Sequence, residues 1–247
     1  MSKSDDSRVS AVLPCFEEAP NLLNVTENLE ETLAACVSSD WEILLVSSLA
    51  AGDGTPELAR ELAAGHSRVR TLWQPAGDPG YGRALAMGIS AAQYPWLLLT
   101  DADGQFAHGE LSRLTAESVR AEVVVGYRCA RRDPLARRVA GKLYSGLAAR
   151  LLGIRGVRDL DCAFKLVHSD VIGTTPLRCR TGVVNAEILM RAISRRSRLV
   201  EVPVTHRPRL GGTTRFEISL GPFGHLPHPA EVAAIFRDLA MLMESKP

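Results

Sequence analysis

Aromatic residues and net charge are both scarce in this chain. Phe, Trp and Tyr make up 5% of its 247 residues, and the formal net charge is +1. Nucleic-acid-binding domains usually combine a basic surface with aromatic side chains that stack on bases. No dense basic run with interleaved aromatics occurs here, so the composition disfavours nucleic acid as a partner. The 46% hydrophobic and 23% charged residues are typical of an ordered globular protein.

Cysteines are few and are not paired in sequence. The chain has five, and none forms the Cys-x-x-Cys pair that binds zinc or carries out redox chemistry. An odd, scattered set favours a reducing compartment. They are Cys15, Cys36, Cys129, Cys162 and Cys179.

Long apolar runs are absent too. A membrane helix needs about 18 or more apolar residues in succession, and no stretch reaches that length. Met1–Arg8 is polar and mixed in charge, unlike the basic and then apolar start of a secretory signal peptide. We therefore expect a cytoplasmic protein without a membrane span, with peripheral contact at the inner face of the membrane left open.

The most informative segment present is Trp96–Phe106, an apolar run that ends in Asp101 and Asp103 and then Gly104. The run predicts a buried strand, and ligands of open α/β sheets bind at the carboxyl ends of such strands. Alternate residues of an extended chain point the same way, so both carboxylates can face one hard divalent cation. The segment predicts a site for a metal-bound diphosphate.

Two carboxylates next to a glycine also fit other kinds of site. Asp and Gly are common turn formers, so the motif alone is weak evidence. A calcium loop starting at Asp101 needs Gly at its sixth position and Glu at its twelfth, where the chain has Phe106 and Ser112. A phosphatase with a nucleophilic first Asp stays open, although its strand usually lies nearer the start of the chain.

Strand and helix patterns alternate along the chain, which predicts an α/β fold with a mostly parallel sheet covered on both faces. The predicted strands are Val9–Leu13, Trp41–Val46, Val69–Trp73, Trp96–Leu99, Glu122–Tyr127, Phe164–His168 and Leu199–Val204. The predicted helices are Leu22–Val37, Thr55–Gly65 with Thr55 as N-cap, Arg83–Ala92, Leu135–Leu152 opened by Asp133-Pro134, and Asn185–Ile193.

We predict one domain over residues 1–228 and a C-terminal amphipathic helix extension over residues 229–247. In that helix Val232, Phe236, Leu239 and Met243 share one face. The face can dock on the protein's own body, on a second copy in a homodimer, or on a membrane surface.

Five motifs occur in a specific order. They are Val9–Glu18, Asp53–Thr55, Gly80–Gly82, Asp101–Phe106 and Asp159–Leu166, followed by Val202–Val204 and Arg207–Arg209. In this order the chain resembles the family 2 glycosyltransferases with a GT-A fold, most closely the polyprenyl-phosphate (dolichyl-phosphate) mannose or glucose synthase branch. The likeness covers nearly the whole chain.

The resemblance implies an inverting transfer of a hexose from a GDP- or UDP-sugar to a polyprenyl phosphate, with Mg²⁺ or Mn²⁺. A small-molecule hydroxyl is the alternative acceptor. By the same resemblance, Asp101, Asp103 and Gln105 would hold the cation. The donor pocket would include Pro14, Phe16, Glu18, Ser47, Gly80, Ala102, Arg128 and Arg209, with Lys142 and Arg215 as weaker candidates.

Asp159 and Asp161 stand where this branch places carboxylates near the acceptor. An acceptor phosphate is already ionised, so Asp159 would only orient or tune it. A hydroxyl acceptor needs a base, for which Asp159 is the first candidate and Glu187 the second.

The chain departs from the family at the end of its second predicted strand, where Ser47 and Ser48 replace the usual acidic pair. A neutral hydroxyl accepts a weaker hydrogen bond from a nucleobase than a carboxylate does, so base recognition should weaken or change. Glu17 also stands where the family commonly has Asn. A nucleotide-binding protein with little transferase activity therefore remains an alternative.

Overall fold

A mostly parallel sheet forms the centre of the protein. We describe it from a computed structural model, which covers residues 7–37, 40–75, 77, 79–129, 145–209, 217–219 and 225–244. The seven strands are β1 (Val9–Cys15), β2 (Trp41–Ser48), β3 (Val69–Gln74), β4 (Trp96–Leu99), β5 (Val123–Arg128), β6 (Lys165–His168) and β7 (Leu199–Val204), in the order β3-β2-β1-β4-β6-β5-β7. Only β6 runs antiparallel to its neighbours within this sheet.

The strand order creates a switch point between β1 and β4. The chain moves outward from β1 to β2 and β3 and then returns to place β4 on the other side of β1. Loops leaving two such strands diverge to opposite faces, which opens a crevice at their carboxyl ends. Asp101 and Asp103 follow β4 directly and therefore lie at this crevice.

Helices cover both faces of the sheet, which confirms the predicted α/β architecture. They are α1 (Ala19–Cys36), α2 (Thr55–Gly65), α3 (Tyr81–Ala91), α4 (Leu111–Ser118), α5 (described over 145–152), α6 (Ser169–Ile172), α7 (Val184–Ser194) and α8 (Pro229–Glu244). One apolar core contains side chains of α1, α2 and α4, and the other those of α3, α5, α7 and α8. The start of the predicted helix Leu135–Leu152, with Asp133-Pro134, lies outside the described residues.

The start of α2 differs from the prediction. Its N-cap is Gly54, in a left-handed conformation with φ 86°, and Thr55 is the first helical residue. The Thr55 hydroxyl instead accepts a hydrogen bond from the backbone N–H of Glu18. Sequence patterns also missed α4, the preceding 3₁₀ turn His108–Glu110, α6, and the hairpin of β8 (Glu217–Ser219) and β9 (His225–Pro227).

The last helix, α8, buries part of the predicted face in the core and leaves part of it exposed. Leu239 and Leu242 are buried in the core, whereas Phe236 is 63% exposed and Met243 is 44% exposed. Asp238 is buried as well, and its carboxylate accepts hydrogen bonds from the backbone N–H groups of residues 180 and 181. Within the described part of the chain, no helix has both the length and the hydropathy of a membrane span.

Candidate active site

Two carboxylates meet at the end of β4. Asp103 is buried, and its Oδ1 accepts a hydrogen bond of 3.0 Å from the backbone N–H of Gln105. Gly104 has φ 72°, a conformation that glycine adopts without a steric cost. It turns the chain back between Asp103 and Gln105. The loop thus holds both carboxylates of the predicted metal pair at the switch point.

The carboxylate of Asp101 is in an unfavourable place for negative charge. Burial raises its pKa to about 7, and the Coulomb repulsion from Asp103 adds to the shift. The Tyr81 hydroxyl opposes the shift by donating a hydrogen bond of 2.9 Å to Asp101 Oδ1. A divalent cation between the two carboxylates would relieve this repulsion, and hard oxygen ligands suit Mg²⁺ or Mn²⁺.

A cation at this place needs ligands from a partner molecule. Within the described ranges, no three His, Cys, Asp or Glu side chains form a group that could hold a metal by themselves. Two carboxylates complete a shell when substrate phosphates supply further oxygens, which is the usual arrangement for Mg²⁺ at phosphate sites. The pair therefore fits a cation that is shared with a diphosphate.

The glycines on either side of Tyr81 allow close backbone packing. A Cβ on Gly82 would lie 2.2 Å from the carbonyl oxygen of Cys179, and one on Gly80 would lie 2.9 Å from that of Arg180. These contacts press the start of α3 against the loop that leads into α7. Gly80, a predicted pocket residue, thus has a packing role that seats Tyr81 beside Asp101; its contact with a ligand remains a prediction.

The loop between β1 and α1 is tied to the loop between β2 and α2. Asp53 Oδ2 accepts a hydrogen bond of 3.0 Å from the backbone N–H of Ala19, and Thr55 Oγ1 accepts one of 2.8 Å from that of Glu18. Glu17, between β1 and α1, has φ 55°. The Asp53–Thr55 motif of the sequence therefore shapes the turn that presents Glu18.

Glu18 connects the two sides of the crevice. It is buried, and burial raises the pKa of its carboxyl to about 7, although Arg209 and Asn21 oppose the shift. Arg209 forms an ion pair with Glu18 and lies 3.8 Å from Asp103 Oδ2. The structure thus brings together Glu18, Arg209 and Asp103, three of the predicted site residues.

The segment that carries Arg209 is fastened to the metal loop. Gln105 Nε2 donates a hydrogen bond of 2.9 Å to the Arg207 carbonyl oxygen, and the Arg207 N–H donates one of 2.7 Å to the Gln105 carbonyl oxygen. Phe106 and His206 form a β-bridge beside them. The Gln105 amide, predicted as a metal ligand, thus holds this segment in place, and its role toward a cation stays a prediction.

The predicted acceptor residues form a second charged group. Arg128 donates to Asp159 through Nε at 2.7 Å and Nη2 at 2.8 Å, and the Arg128 backbone N–H adds a contact of 3.1 Å. Both side chains are mostly buried. Asp161 lies 4.0 Å from Arg128, and its side chain is 42% exposed. Of the two carboxylates, Asp161 is the more accessible one.

The second candidate base has a structural role. Glu187 is buried in α7, accepts hydrogen bonds from the backbone N–H groups of Arg178 and Cys179, and pairs with Arg191 at 2.7 Å. Its oxygens are therefore used to hold the loop before α7. Nothing in these contacts supports Glu187 as a base.

The other residues predicted for the donor pocket differ in how far they are exposed to solvent. Pro14 and Phe16 are partly exposed at the crevice, whereas Ala102 is buried in the core. Ser47 is fully buried, and its Oγ has no hydrogen-bond partner among the described residues. Ser48 Oγ accepts a bond of 3.2 Å from the Ala50 N–H. Two weaker candidates, Lys142 and Arg215, lie outside the described residues.

Comparison with known proteins decides the family. Residues 10–174 match the sequence profile of Glycosyl transferase family 2. The chain belongs to this family. The family and the GT-A fold expected from the sequence are thereby confirmed.

Curated relatives of this family 2 glycosyltransferase include the undecaprenyl-phosphate 4-deoxy-4-formamido-L-arabinose transferases of Salmonella paratyphi A and Salmonella dublin. Each is 30% identical over 216 residues, which is 85% of this chain and 62% of the relative. The chain therefore spans less than two thirds of the length of these relatives.

Solved structures with the same fold include glucosyl-3-phosphoglycerate synthase from Mycobacterium tuberculosis. Its complex with Mn²⁺ and UDP-glucose has a TM-score of 0.69 at 17% identity, over 99% of this chain and 82% of that one. The complex with Mn²⁺, UDP and phosphoglyceric acid has a TM-score of 0.67 at 17% identity, over 98% and 79%. At this identity the likeness concerns the fold alone.

Proposed function

We propose that the protein transfers a hexose, mannose or glucose, from a nucleoside diphosphate sugar to a polyprenyl phosphate, with inversion and with Mg²⁺ or Mn²⁺. The observation that carries the proposal is the pair Asp101 and Asp103. It lies at the switch point of the sheet, where burial and mutual repulsion hold the pKa of Asp101 near 7. Structures with this fold that were solved with Mn²⁺ and with UDP or UDP-glucose support it.

The reaction breaks the bond between the sugar C1 and an oxygen of the diphosphate and forms one from C1 to an acceptor oxygen. Negative charge develops on the leaving diphosphate. Asp101 and Asp103 would hold the cation, which supplies electrostatic stabilisation of that charge when bound. Arg209, in contact with Glu18 and 3.8 Å from Asp103, is placed to add a fixed positive charge beside the same phosphates.

A phosphate acceptor suits the second charged group. Its oxygen is ionised at neutral pH, so attack on C1 requires no strong base. Asp159 engages Arg128 with both carboxylate oxygens, an arrangement that orients a guanidinium for anion binding rather than freeing a base. The relatives named as undecaprenyl-phosphate transferases support this acceptor class.

A hydroxyl acceptor is the second candidate, and the accessible carboxylate of Asp161 favours it. That carboxylate could take the proton that a hydroxyl loses during attack. Structures with this fold have been solved with phosphoglyceric acid, a small hydroxyl-bearing molecule. A nucleotide-binding protein with little activity is the third candidate, because neutral Ser47 and Ser48 replace an acidic pair.

One assay separates these candidates. Purified protein is incubated with labelled UDP-glucose or GDP-mannose, with and without Mn²⁺ or Mg²⁺, and with undecaprenyl phosphate, 3-phosphoglycerate or no acceptor. We expect metal-dependent transfer to undecaprenyl phosphate that is lost in Asp101→Asn. Transfer to 3-phosphoglycerate alone would favour the hydroxyl acceptor. Nucleotide binding without metal-dependent turnover of either donor would contradict the proposed activity.

A further inference from the structure

A lysine is buried in the middle of the sheet, one strand away from the metal loop. Lys165 begins β6, pairs with Leu99 of β4, and has no solvent exposure. Its Nζ donates to the Cys162 carbonyl oxygen and, at 2.8 Å, to Asn185 Oδ1 in the first turn of α7. Burying a lysine costs free energy, and a role in function would explain why this one is buried.

The contacts of Lys165 continue toward the metal pair. The side chain of Asn185, which is 2% exposed, faces the Tyr81 hydroxyl and lowers its pKa, against the larger effect of burial, which raises it. Tyr81 in turn donates to Asp101 Oδ1 at 2.9 Å. Lys165, Asn185, Tyr81 and Asp101 therefore form one chain of polar contacts, which links β6, α7 and α3 to the loop after β4.

The chemistry of the groups sets the direction of every bond in this chain. An ammonium group only donates, so it fixes the Asn185 amide with Oδ1 toward Lys165 and Nδ2 toward Tyr81. With the Asn185 Nδ2 group on the side of the Tyr81 oxygen, the single proton of Tyr81 is donated to Asp101. One oxygen of Asp101 is thereby fixed by a donor, and the other can face a cation.

We propose that Lys165 and Asn185 are positioning residues for the metal site, which act through Tyr81 on the carboxylate of Asp101. The inference rests on the proposed function, since it assigns the cation to Asp101 and Asp103. Partners behind a metal ligand fix its orientation, and their loss typically lowers metal affinity about 10- to 100-fold.

Asn185→Asp is the most discriminating variant, because it keeps the shape of the side chain and its contact with Lys165. An aspartate near the start of α7 is also favourable toward the helix dipole, so the fold should persist. An aspartate cannot donate, however, and it competes with Asp101 for the Tyr81 proton. A purely structural role would be preserved in this variant, whereas a positioning role would be lost.

The readout is Mn²⁺ affinity, measured by the electron paramagnetic resonance signal of free Mn²⁺ at saturating UDP. Tyr81→Phe and Asn185→Asp should each weaken Mn²⁺ binding about 10- to 100-fold, and the double variant should lose little more, because both break one chain. Glu42→Gln is the control. It alters a buried polar cluster with Ser10 and Arg70 at the start of β2 and should leave Mn²⁺ affinity unchanged.

The outcomes separate the inference from the function on which it rests. Suppose that Asn185→Asp binds Mn²⁺ with wild-type affinity and Tyr81→Phe binds it weakly. Only Tyr81 would then position Asp101, and the role proposed for Lys165 and Asn185 would be overturned. Wild-type affinity in both variants would overturn the chain altogether. Failure of the wild-type protein to bind Mn²⁺ with UDP would overturn the proposed function as well.

Discussion

Arg128 and Asp159 form a two-pronged ion pair, with Nε 2.7 Å from Oδ2 and Nη2 2.8 Å from Oδ1. The pair is mostly buried, so neither charge is left to water. Both carboxylate oxygens are used to hold the guanidinium. This geometry gives Asp159 an orienting role, and it makes Asp161 the better placed base if the acceptor is a hydroxyl.

Asp159→Asn tests that orienting role. Loss of one charge from a buried pair leaves the other uncompensated, which typically costs about 3–5 kcal/mol of stability. We expect a urea-unfolding loss in this range and a fall of about 10- to 100-fold in transfer rate, the value of a charged hydrogen bond of about 1.5–3 kcal/mol. Asp40→Asn, which breaks an exposed pair with Arg68, should change stability by less than about 0.5 kcal/mol. If Asp159 is also a base, the transfer rate should fall by more than about 100-fold and the acidic limb of the pH–rate profile should disappear.

Asp101→Asn should stabilise the metal-free protein at high pH. The folded-state pKa of Asp101, about 7, lies above the ordinary value near 3.9 for an unfolded chain, so the folded state holds the extra proton between these values. Stability must therefore fall as pH rises through this window. In thermal melts with EDTA we expect the variant to exceed wild type at pH 8 and not at pH 4. Equal pH dependence of the two proteins would contradict the raised pKa of Asp101, which burial and the repulsion from Asp103 cause.

Glu17→Asn should stabilise the loop between β1 and α1. Glu17 has φ 55°, in a region that costs most side chains roughly 1 kcal/mol and that Asn adopts more readily. We expect a gain of about 0.5–1 kcal/mol in urea unfolding. Glu17→Ala keeps the backbone penalty and serves as the control. If the Ala variant gains as much stability as the Asn variant, the gain comes from loss of the Glu17 charge and not from relief of the backbone conformation.

Ser47→Ala should leave stability unchanged or raise it by about 1 kcal/mol. The Ser47 hydroxyl is buried without a partner among the described residues, and an unsatisfied buried hydroxyl is a cost that alanine removes. Ser48→Ala is the matched control, since Ser48 Oγ accepts from the Ala50 N–H, and its loss should cost about 1 kcal/mol. A clear loss of stability in Ser47→Ala would show that a buried water or another group satisfies this hydroxyl.

Apolar patterns carried most of the fold prediction. Leu199–Val204 is a strand with the bounds predicted, and Thr55–Gly65 is a helix over the predicted range. Central strands such as β4 are buried on both faces and are therefore continuous apolar runs, which are visible in sequence. In α8 the same reasoning placed Leu239 and Phe236 on one face, of which Leu239 is buried and Phe236 is exposed, and it did not anticipate the buried carboxylate of Asp238, which accepts hydrogen bonds from a distant loop. Long-range polar contacts of this kind leave no periodic signal.

The site was predictable where a motif carries chemistry and was missed where residues support that motif. Asp101, Asp103, Glu18 and Arg209 lie together in the structure, although Asp101 and Arg209 are more than a hundred residues apart in sequence. Tyr81 lies inside the Gly80–Gly82 motif, but its bond to Asp101 depends on the packing of α3 against the loop before α7. Lys165 likewise lies inside a motif, Asp159–Leu166, but only the structure shows that its side chain is buried.

The central claim is that Asp101 and Asp103 hold a divalent cation against the diphosphate of a nucleotide. The most direct measurement is anomalous diffraction at the manganese edge from crystals grown with Mn²⁺ and UDP. The account predicts one peak between these two carboxylates and the phosphates, absent in crystals of Asp101→Asn. Bound UDP without a manganese peak at the two carboxylates, or a peak elsewhere, would contradict it.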